Sequence, residues 1–338
     1  MKSFTKFLQN SKNKVLLLYT CASVLLIFAF ALGIFSGSIK IGIADLINSV
    51  FSGDKSDPNM RIFLYVRLPR TLASIMCGAA LAVAGAVIQS VLANPLASPS
   101  IIGVNSGAGL AVTLCCVVGI GGWKLSAIAF LGAFFAVMLV SIGAWRWRAS
   151  RGTVVLIGVA MNSLFGAVSD ALLTFYPDTY FQSRDFKLGD FSAVTYSVLI
   201  PLIVTTLMTV SVLIFLSGDL SVLTLGDESA TSLGMNTKAM RIVFLLLSAL
   251  LAGVAVSVAG LLSFVGLLVP HAVRRMSRGS HLLPLCALFG AGFVSLCDTV
   301  SRVAFAPYEI PVGIIMAFLG APFFIFILVR GKGVHDGD

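Results

Sequence analysis

The sequence predicts an all-α polytopic membrane protein of about ten transmembrane helices. Hydrophobic residues make up 58% of the 338-residue chain and charged residues only 11%, whereas soluble domains carry about 25% charged residues. The stretch Thr71–Leu92 has no charged residue and is long enough to cross a hydrocarbon core of about 30 Å. Similar stretches recur along the chain, so this composition excludes a soluble fold.

The apolar stretches are predicted to be membrane spans. In chain order they are Val15–Phe35, Thr71–Leu92, Val104–Ile120, Trp123–Gly143, Thr153–Phe175, Ala193–Leu216, Arg241–Val258, Ala259–Val273, Leu285–Ala304 and Pro311–Val329. The eighth is short, and its Pro270–His271 step predicts a broken or tilted helix. Between the first two spans, Ile41–Phe51 is predicted to form a short amphipathic helix on the outer side.

The second span is unusually slim. Gly78, Ala82, Gly85 and Ala86 share one helical face, and a face of small residues lets another backbone come close in lipid. Small residues are also simply common in membrane helices. The following stretch, Asn94–Gly109, is rich in Asn, Ser, Gly and Pro, so it is predicted to be buried in protein or to line a watery cavity.

The basic residues predict that both termini are cytoplasmic. The chain divides into an N-terminal segment, 1–14, with lysines and no acid, a membrane domain, 15–329, and a cytoplasmic tail, 330–338. Further basic groups follow the fourth and eighth spans: Arg146, Arg148, Arg151, Arg274, Arg275 and Arg278. This distribution explains the net charge of +9 without any nucleic-acid partner.

The sequence predicts neither a metal site nor a catalytic site in the chain itself. Its six cysteines lie in apolar segments, with no Cys-x-x-Cys pair and no nearby histidine, and are predicted to be small packing residues. No stretch matches the phosphate loop GxxxxGK[ST], so any work done by ATP would come from a partner. His271 is predicted to be a helix-end residue.

Several motifs resemble one known family. They are RLPRTL, GAALAVAGAVIQ and NPLASPSIIGVNSGAG between residues 67 and 109, then FVGLLVPHAVR at 264–274, EIPVGI at 309–314 and LGAPFFIFIL at 319–328. Together they resemble the FecCD-type permeases, the membrane subunits of ABC importers for iron–siderophore complexes, haem and cobalamin.

The resemblance implies the type II permease fold of ABC importers in the cytoplasmic (inner) membrane. It implies a homodimer with two ATP-binding-cassette ATPase subunits, which would hold ATP and Mg, and with an extracytoplasmic substrate-binding protein. The implied cargo is an iron(III)–siderophore or similar metal chelate, with haem or cobalamin as the alternative. Family members often carry an aromatic and small residues where this chain has Phe186-Lys187-Leu188-Gly189-Asp190, which leaves the cargo open.

Arg67, Arg70 and Arg302 are surplus basic residues on the predicted outer side. By residue type alone they fit headgroup anchors or, for Arg302, an i,i+4 pair with Asp298. Arg67 and Arg70 match the family motif Arg-Leu-Pro-Arg, and Arg302 matches its Asp-x-x-x-Arg motif. The resemblance therefore implies exposed arginines that dock the binding protein, mainly to orient it and to speed encounter.

The inner insert, residues 217–240, is longer than ordinary interhelical loops of about 2–8 residues. Asp227 is predicted to cap a short helix that Gly234 ends, and Asn236 or Thr237 to cap the next helix. An ordinary loop is the alternative. The insert resembles the family's coupling helices, which fit a groove in the ATPase subunit. The implied coupling residues are Gly226, Asp227, Glu228, Ala230, Leu233 and Gly234.

A translocation path is predicted along the second and fifth spans, between two copies of the chain as the resemblance implies. The candidate residues are Gln89, Asn94, Ser98, Asn105, Asn162 and Ser163. Hydrogen bonds between packed helices are the alternative for each of them. Asp170, inside the fifth span, is predicted to face a wet cavity or to lie near the outer interface.

Two other classes of protein stay open at this point. A secondary transporter driven by protons or sodium could use Asp170 for coupling, but it would not need the inner insert. A membrane-embedded enzyme would need a cluster of His, Asp or Glu at ligand spacing, and the sequence has none.

Overall fold

The computed structural model describes residues 11–39, 42–52, 57–146, 150–277 and 279–332. Most of the predicted N-terminal segment, 1–14, and most of the predicted tail, 330–338, lie outside the described residues, as do Arg148 and Arg278. Within the described residues the chain is helical with connecting turns, and it contains no β-strand. The predicted all-α class is confirmed.

The α-helices are numbered here in chain order. They are α1 (Ser11–Phe35), α2 (Ile43–Ser52), α3 (Pro58–Ile62), α4 (Leu68–Val91), α5 (Val104–Val118), α6 (Trp123–Arg146), α7 (Arg151–Phe175), α8 (Tyr180–Leu188), α9 (Tyr196–Phe215), α10 (Ser217–Thr224), α11 (Asp227–Ser232), α12 (Thr237–Ala259), α13 (Val265–Met276), α14 (Leu282–Val303) and α15 (Val312–Lys332). A π-helical turn, Phe63–Arg67, joins α3 to α4, and short 3₁₀ turns, Pro177–Thr179 and Gly279–His281, precede α8 and α14.

Apart from the eighth, the predicted spans match these helices within a few residues. In the described part of the chain, seven helical stretches are long and apolar enough to cross a membrane. Two shorter apolar helices, Val104–Val118 and Val312–Phe326, add to them. The fifth predicted span is α7, and the predicted amphipathic helix at Ile41–Phe51 is α2. A polytopic helical membrane protein is therefore confirmed.

The eighth predicted span is an irregular segment followed by the 12-residue helix α13. The break comes before α13 begins rather than at Pro270, which lies inside that helix. Gly260 opens the break with φ +72°, a conformation that favours glycine. The next amide, Leu261 N, donates to Phe186 O of α8 at 3.0 Å. Such bonding within the chain is what irregular backbone at membrane depth requires.

Helix α4 lies at the centre of the bundle and packs backbone to backbone on its neighbours. A Cβ atom at Gly78 would overlap the carbonyl of Gly290 in α14, and one at Gly85 would overlap the backbone of Gly266 in α13. The prediction that the slim face permits close approach is confirmed. The neighbours of this face belong to the same chain, so in this structure the face packs within the bundle.

Candidate functional site

Acidic and basic side chains form an ion network at the end of the bundle predicted to be outer. Arg70 is at its centre, with Nε 3.0 Å from Asp298 Oδ1. The other two nitrogens of this guanidinium lie 2.6 Å from Glu309 Oε2 and 3.5 Å from Asp190 Oδ1. Arg302 Nη2 is 3.1 Å from Asp298 Oδ2. These five residues, named the outer ion network, join α4, α14 and two connecting loops.

Arg67 and Arg302 also bind the end of helix α1. Arg67 donates to Ile34 O at 2.9 Å and to Ile39 O at 2.7 Å. Arg302 Nη1 donates to Gly33 O at 3.1 Å. The last carbonyls of a helix lack partners within the helix and carry partial negative charge, so cations are favourable there. These arginines therefore attach α1 to α4 and α14.

The three arginines predicted to be exposed are buried. Each is only 3% accessible, so the expected exposure is wrong and so is the headgroup-anchor alternative. The i,i+4 pair of Arg302 with Asp298 is confirmed. A buried guanidinium needs acceptors around it, and here they come from distant segments that the local pattern does not reveal. The exposed atoms of the network belong to Asp190 and Glu309, whose side chains are 30% and 32% accessible.

The local sequence pattern does not reveal that Asp190 and Glu309 belong to this network. Burial alone would raise the pKa of Glu309, but hydrogen bonds from Arg70 and Ser38 outweigh it and hold the pKa below its ordinary value. The carboxylate is therefore ionised at neutral pH. The available signal was an acid in EIPVGI directly before an apolar span, which suggests a partner cation.

The inner insert folds into two short helices, α10 and α11, joined at Gly226 with φ +105°. Gly234 ends α11 with φ +84°, and its amide donates to Thr231 O at 2.9 Å. Asn236 caps α12, because its side chain accepts from Ala239 N at 3.1 Å. The predictions for Gly234 and Asn236 are confirmed. An ordinary flexible loop is the wrong description of this insert.

Asp227 does not cap α11 as predicted. Gly226 occupies the N-cap position without a side-chain bond, and Asp227 is the first helical residue. Its carboxylate instead lies 2.8 Å from Arg151 Nη2 and 2.8 Å from Arg241 Nη2. The hydrogen bond from Arg151, with further help from Arg241, lowers the pKa of Asp227 although burial opposes it. Two arginines are stronger partners than the backbone amides that a cap would bind.

The rest of the coupling candidates present a mixed surface. Ala230 is fully buried against the bundle, and Glu228 is exposed. Leu225 and Leu233 are 63% and 67% exposed. Both leucines lie outside the predicted membrane spans, so their exposed side chains are available to a protein partner.

Asn162 holds the polar stretch after α4 against helix α7. Its Nδ2 donates to Ser100 O at 2.9 Å and to Ile101 O at 3.2 Å, and its Oδ1 accepts from Ser106 Oγ at 2.6 Å. Asn105 Nδ2 donates to Ser100 Oγ at 3.0 Å. The structure thus brings Asn105 and Asn162 together in one cluster. The alternative of helix-packing hydrogen bonds applies to both of them in this conformation.

The other predicted path residues are spread out. Gln89 is 3% accessible and donates to Gly266 O at 3.2 Å, so it joins α4 to α13 and lines no path in this structure. Asn94 is half-buried and accepts from Leu96 N at 2.9 Å. Ser98 is half-buried, and Ser163 is exposed on α7. For these three residues the path assignment stays a prediction.

Asp170 projects from the surface of α7, with its side chain 78% accessible. Lys187 Nζ of α8 lies 3.8 Å from its Oδ1. The two charged residues of the unusual segment Phe186–Asp190 therefore have partners. Lys187 pairs with Asp170, and Asp190 pairs with Arg70. An acid with a cationic partner on an open surface does not have the isolated, enclosed position that would mark it as a proton carrier.

Comparison with known proteins identifies the family. The sequence model of the FecCD transport family matches residues 25–330. The chain belongs to the FecCD transport family. The Fe(3+)-citrate import system permease protein YfmD of Bacillus subtilis is 35% identical over 322 residues, 94% of this chain and 96% of that protein. The hemin transport system permease protein HmuU of Yersinia pestis is 35% identical over 314 residues, 89% of this chain and 93% of that protein.

A solved structure supports the same assignment for this FecCD chain. It is an inward-facing transporter assigned to the metal-chelate type of ABC transporters, and it matches with a TM-score of 0.82 at 29% identity. The match covers 93% of this chain and 99% of the other. The FecCD chain is therefore a multi-pass membrane permease of the ABC importer class, which implies ATPase and substrate-binding partners.

Proposed function

We propose that this FecCD permease carries an iron(III)–siderophore complex or a similar metal chelate from a binding protein into the cytoplasm. It works as a homodimer with two ATPase subunits, which bind ATP and Mg, and it has no ATPase site of its own. Both termini and the inner insert are cytoplasmic. The observation that carries the proposal is the ordered projection α10–α11, since a carrier driven by ions needs no such contact surface for an ATPase.

The exposed face of α7 is an argument for the proposed homodimer, in which a second copy of the chain faces this helix. This helix carries Asp170, Ser163 and Thr174 on its accessible side. An unpaired carboxylate facing lipid at the bilayer centre would cost about 2.5–3.5 kcal/mol by insertion scales, and the pairing of Asp170 with Lys187 lowers this cost. A wet path between two copies removes that cost, and it brings the predicted path residues on α7 next to the cargo.

Docking of the binding protein at the outer end is also part of the proposal. Arg67, Arg70 and Arg302 supply the positive charge there, while Asp190 and Glu309 shield it from solvent. Because these arginines are buried, they act on a partner through the surface that they hold together. Asn94, Ser98, Asn105, Asn162 and Ser163 are proposed to face the cargo in another conformation of the transport cycle.

Haem or cobalamin is the alternative cargo. The curated relatives for ferric citrate and for hemin are equally similar to the chain, at 35% identity, so similarity does not decide between these cargoes. Native mass spectrometry of the binding protein that serves this permease tests the choice. We expect a retained mass that contains iron and a small organic chelator. A retained porphyrin or corrinoid would assign the alternative cargo and contradict the iron–chelate proposal.

A further inference from the structure

One carboxylate connects the inner insert to two membrane-crossing helices. Asp227 Oδ1 lies 2.8 Å from Arg151, the first residue of α7, and 2.8 Å from Arg241, near the start of α12. Arg241 Nη2 donates to both oxygens of this carboxylate, because it is also 2.8 Å from Asp227 Oδ2. Within the described residues, these are the ion pairs that join α11 to α7 and α12.

Arg151 also holds the other short helix of the insert. Its Nη2 donates to Leu223 O, in the last turn of α10, at 3.4 Å. A cation beside the final carbonyls of a helix is favourable. One side chain at the beginning of α7 therefore contacts both α10 and α11, and a displacement of either short helix acts directly on α7.

The charges around Asp227 explain why α7 and α12 depend on this residue. The first turn of α7 contains no acid and begins with Arg151, and the first turn of α12 contains no acid either. A cation near the positive end of a helix is unfavourable unless an anion compensates it. Asp227 supplies that anion for both helices. Its side chain is 51% accessible, so the link is formed by charge rather than by burial in a core.

We propose that Asp227, with Arg151 and Arg241, forms a clamp that transmits motion of the inner insert to helices α7 and α12. Asp227 is thus a positioning residue that acts within the permease, while Leu225 and Leu233 offer the surface for the ATPase subunit. This inference rests on the proposed coupling function and deepens it. Helix α7, which is proposed to line the path, then responds to the ATPase through one side chain, Arg151.

Hydrogen exchange in the assembled complex tests the clamp without knowledge of the cargo. The permease with its ATPase subunits in nanodiscs is compared with and without a non-hydrolysable ATP analogue and Mg. Amide exchange is followed in peptides covering 226–236 and 151–163. In the unsubstituted complex we expect nucleotide to change exchange in both peptides. In Asp227→Asn we expect the change to persist in 226–236 and to be lost in 151–163.

Further variants separate the clamp from other roles of Asp227. Arg151→Gln is expected to reproduce the loss, and Asp227→Glu to restore the response in part. The matched control is Asp219→Asn on α10, since among the described residues Asp219 has no ion pair, and it is expected to keep both responses. The Arg151→Gln variant also tests the clamp if Asp227→Asn fails to fold.

Three results would overturn the inference while leaving the coupling function standing. The first is an unchanged response of 151–163 in both Asp227→Asn and Arg151→Gln. The second is loss of ATPase binding in Asp227→Asn alone, which would make Asp227 a direct contact to the ATPase. The third is an unsubstituted complex in which only 226–236 responds. If neither peptide responds in the unsubstituted complex, the coupling function itself fails, and the clamp fails with it.

Discussion

Exchange of Gly226–Gly234 for a flexible Gly-Ser linker of equal length is expected to abolish the stimulation of ATP hydrolysis by the binding protein. The exchange removes the buried Ala230, the exposed Leu233 and the carboxylate of Asp227 together. Because the segment lies outside the predicted membrane spans, insertion and the helical bundle are expected to survive. ATP hydrolysis by the reconstituted complex, with and without the binding protein, is the measurement.

A matched exchange at the opposite end of the bundle controls for general damage. Gly119–Gly122 connects α5 to α6. Gly119 and Gly122 have positive φ and are kept, whereas a side chain added at Gly121 would meet open space. Exchange of the two residues between them for Gly-Ser is expected to leave stimulation intact. If the Gly226–Gly234 variant keeps the same stimulation as this control, that segment has no coupling role.

The substitution Asp298→Asn is expected to destabilise the folded chain by about 3–5 kcal/mol, because it leaves the buried Arg302 without its carboxylate and removes one of the three carboxylates around the buried Arg70. Asp298 is fully buried and pairs with both Arg70 and Arg302. Thermal unfolding in detergent can be followed with a thiol-reactive fluorophore, since Cys77 and Cys286 are fully buried. We expect these thiols to react at a lower temperature in the variant.

The control for this prediction is Asp178→Asn. Asp178 is exposed in the 3₁₀ turn before α8, and among the described residues it has no ion pair. The unfolding temperature of the Asp178→Asn variant is expected to match that of the unsubstituted chain. An Asp298→Asn variant with the same unfolding temperature as Asp178→Asn would show that the ion pairs of Asp298 contribute nothing to stability.

The sequence predicted the spans well because their signal is local. A run without charges such as Thr71–Leu92 must be helical in lipid, since backbone groups there have no water to bind. The turn elements of the insert were also readable, because Gly234 and Asn236 are typical helix-ending and helix-capping residues. The family motifs added the class of transporter, which periodicity alone does not provide.

The sites were less predictable because their contacts join distant segments. Arg70 meets Glu309 and Asp190 across 239 and 120 residues of sequence, so local patterns describe it only as a surplus outer cation. In the same way, the local sequence around Asp227 is typical of a helix cap. Its partner Arg151 lies 76 residues away and is brought beside it only in the folded chain. Hydropathy identifies which segments enter the membrane, but it does not indicate which charges meet there.

Transport into proteoliposomes tests the central claim most directly. The FecCD permease, reconstituted with its ATPase subunits and supplied with its loaded binding protein, is given either ATP with Mg or an imposed proton or sodium gradient. We expect uptake of the bound cargo with nucleotide and none with the gradient alone. Uptake driven by a gradient in the absence of nucleotide would contradict the account and assign the chain to the secondary transporters.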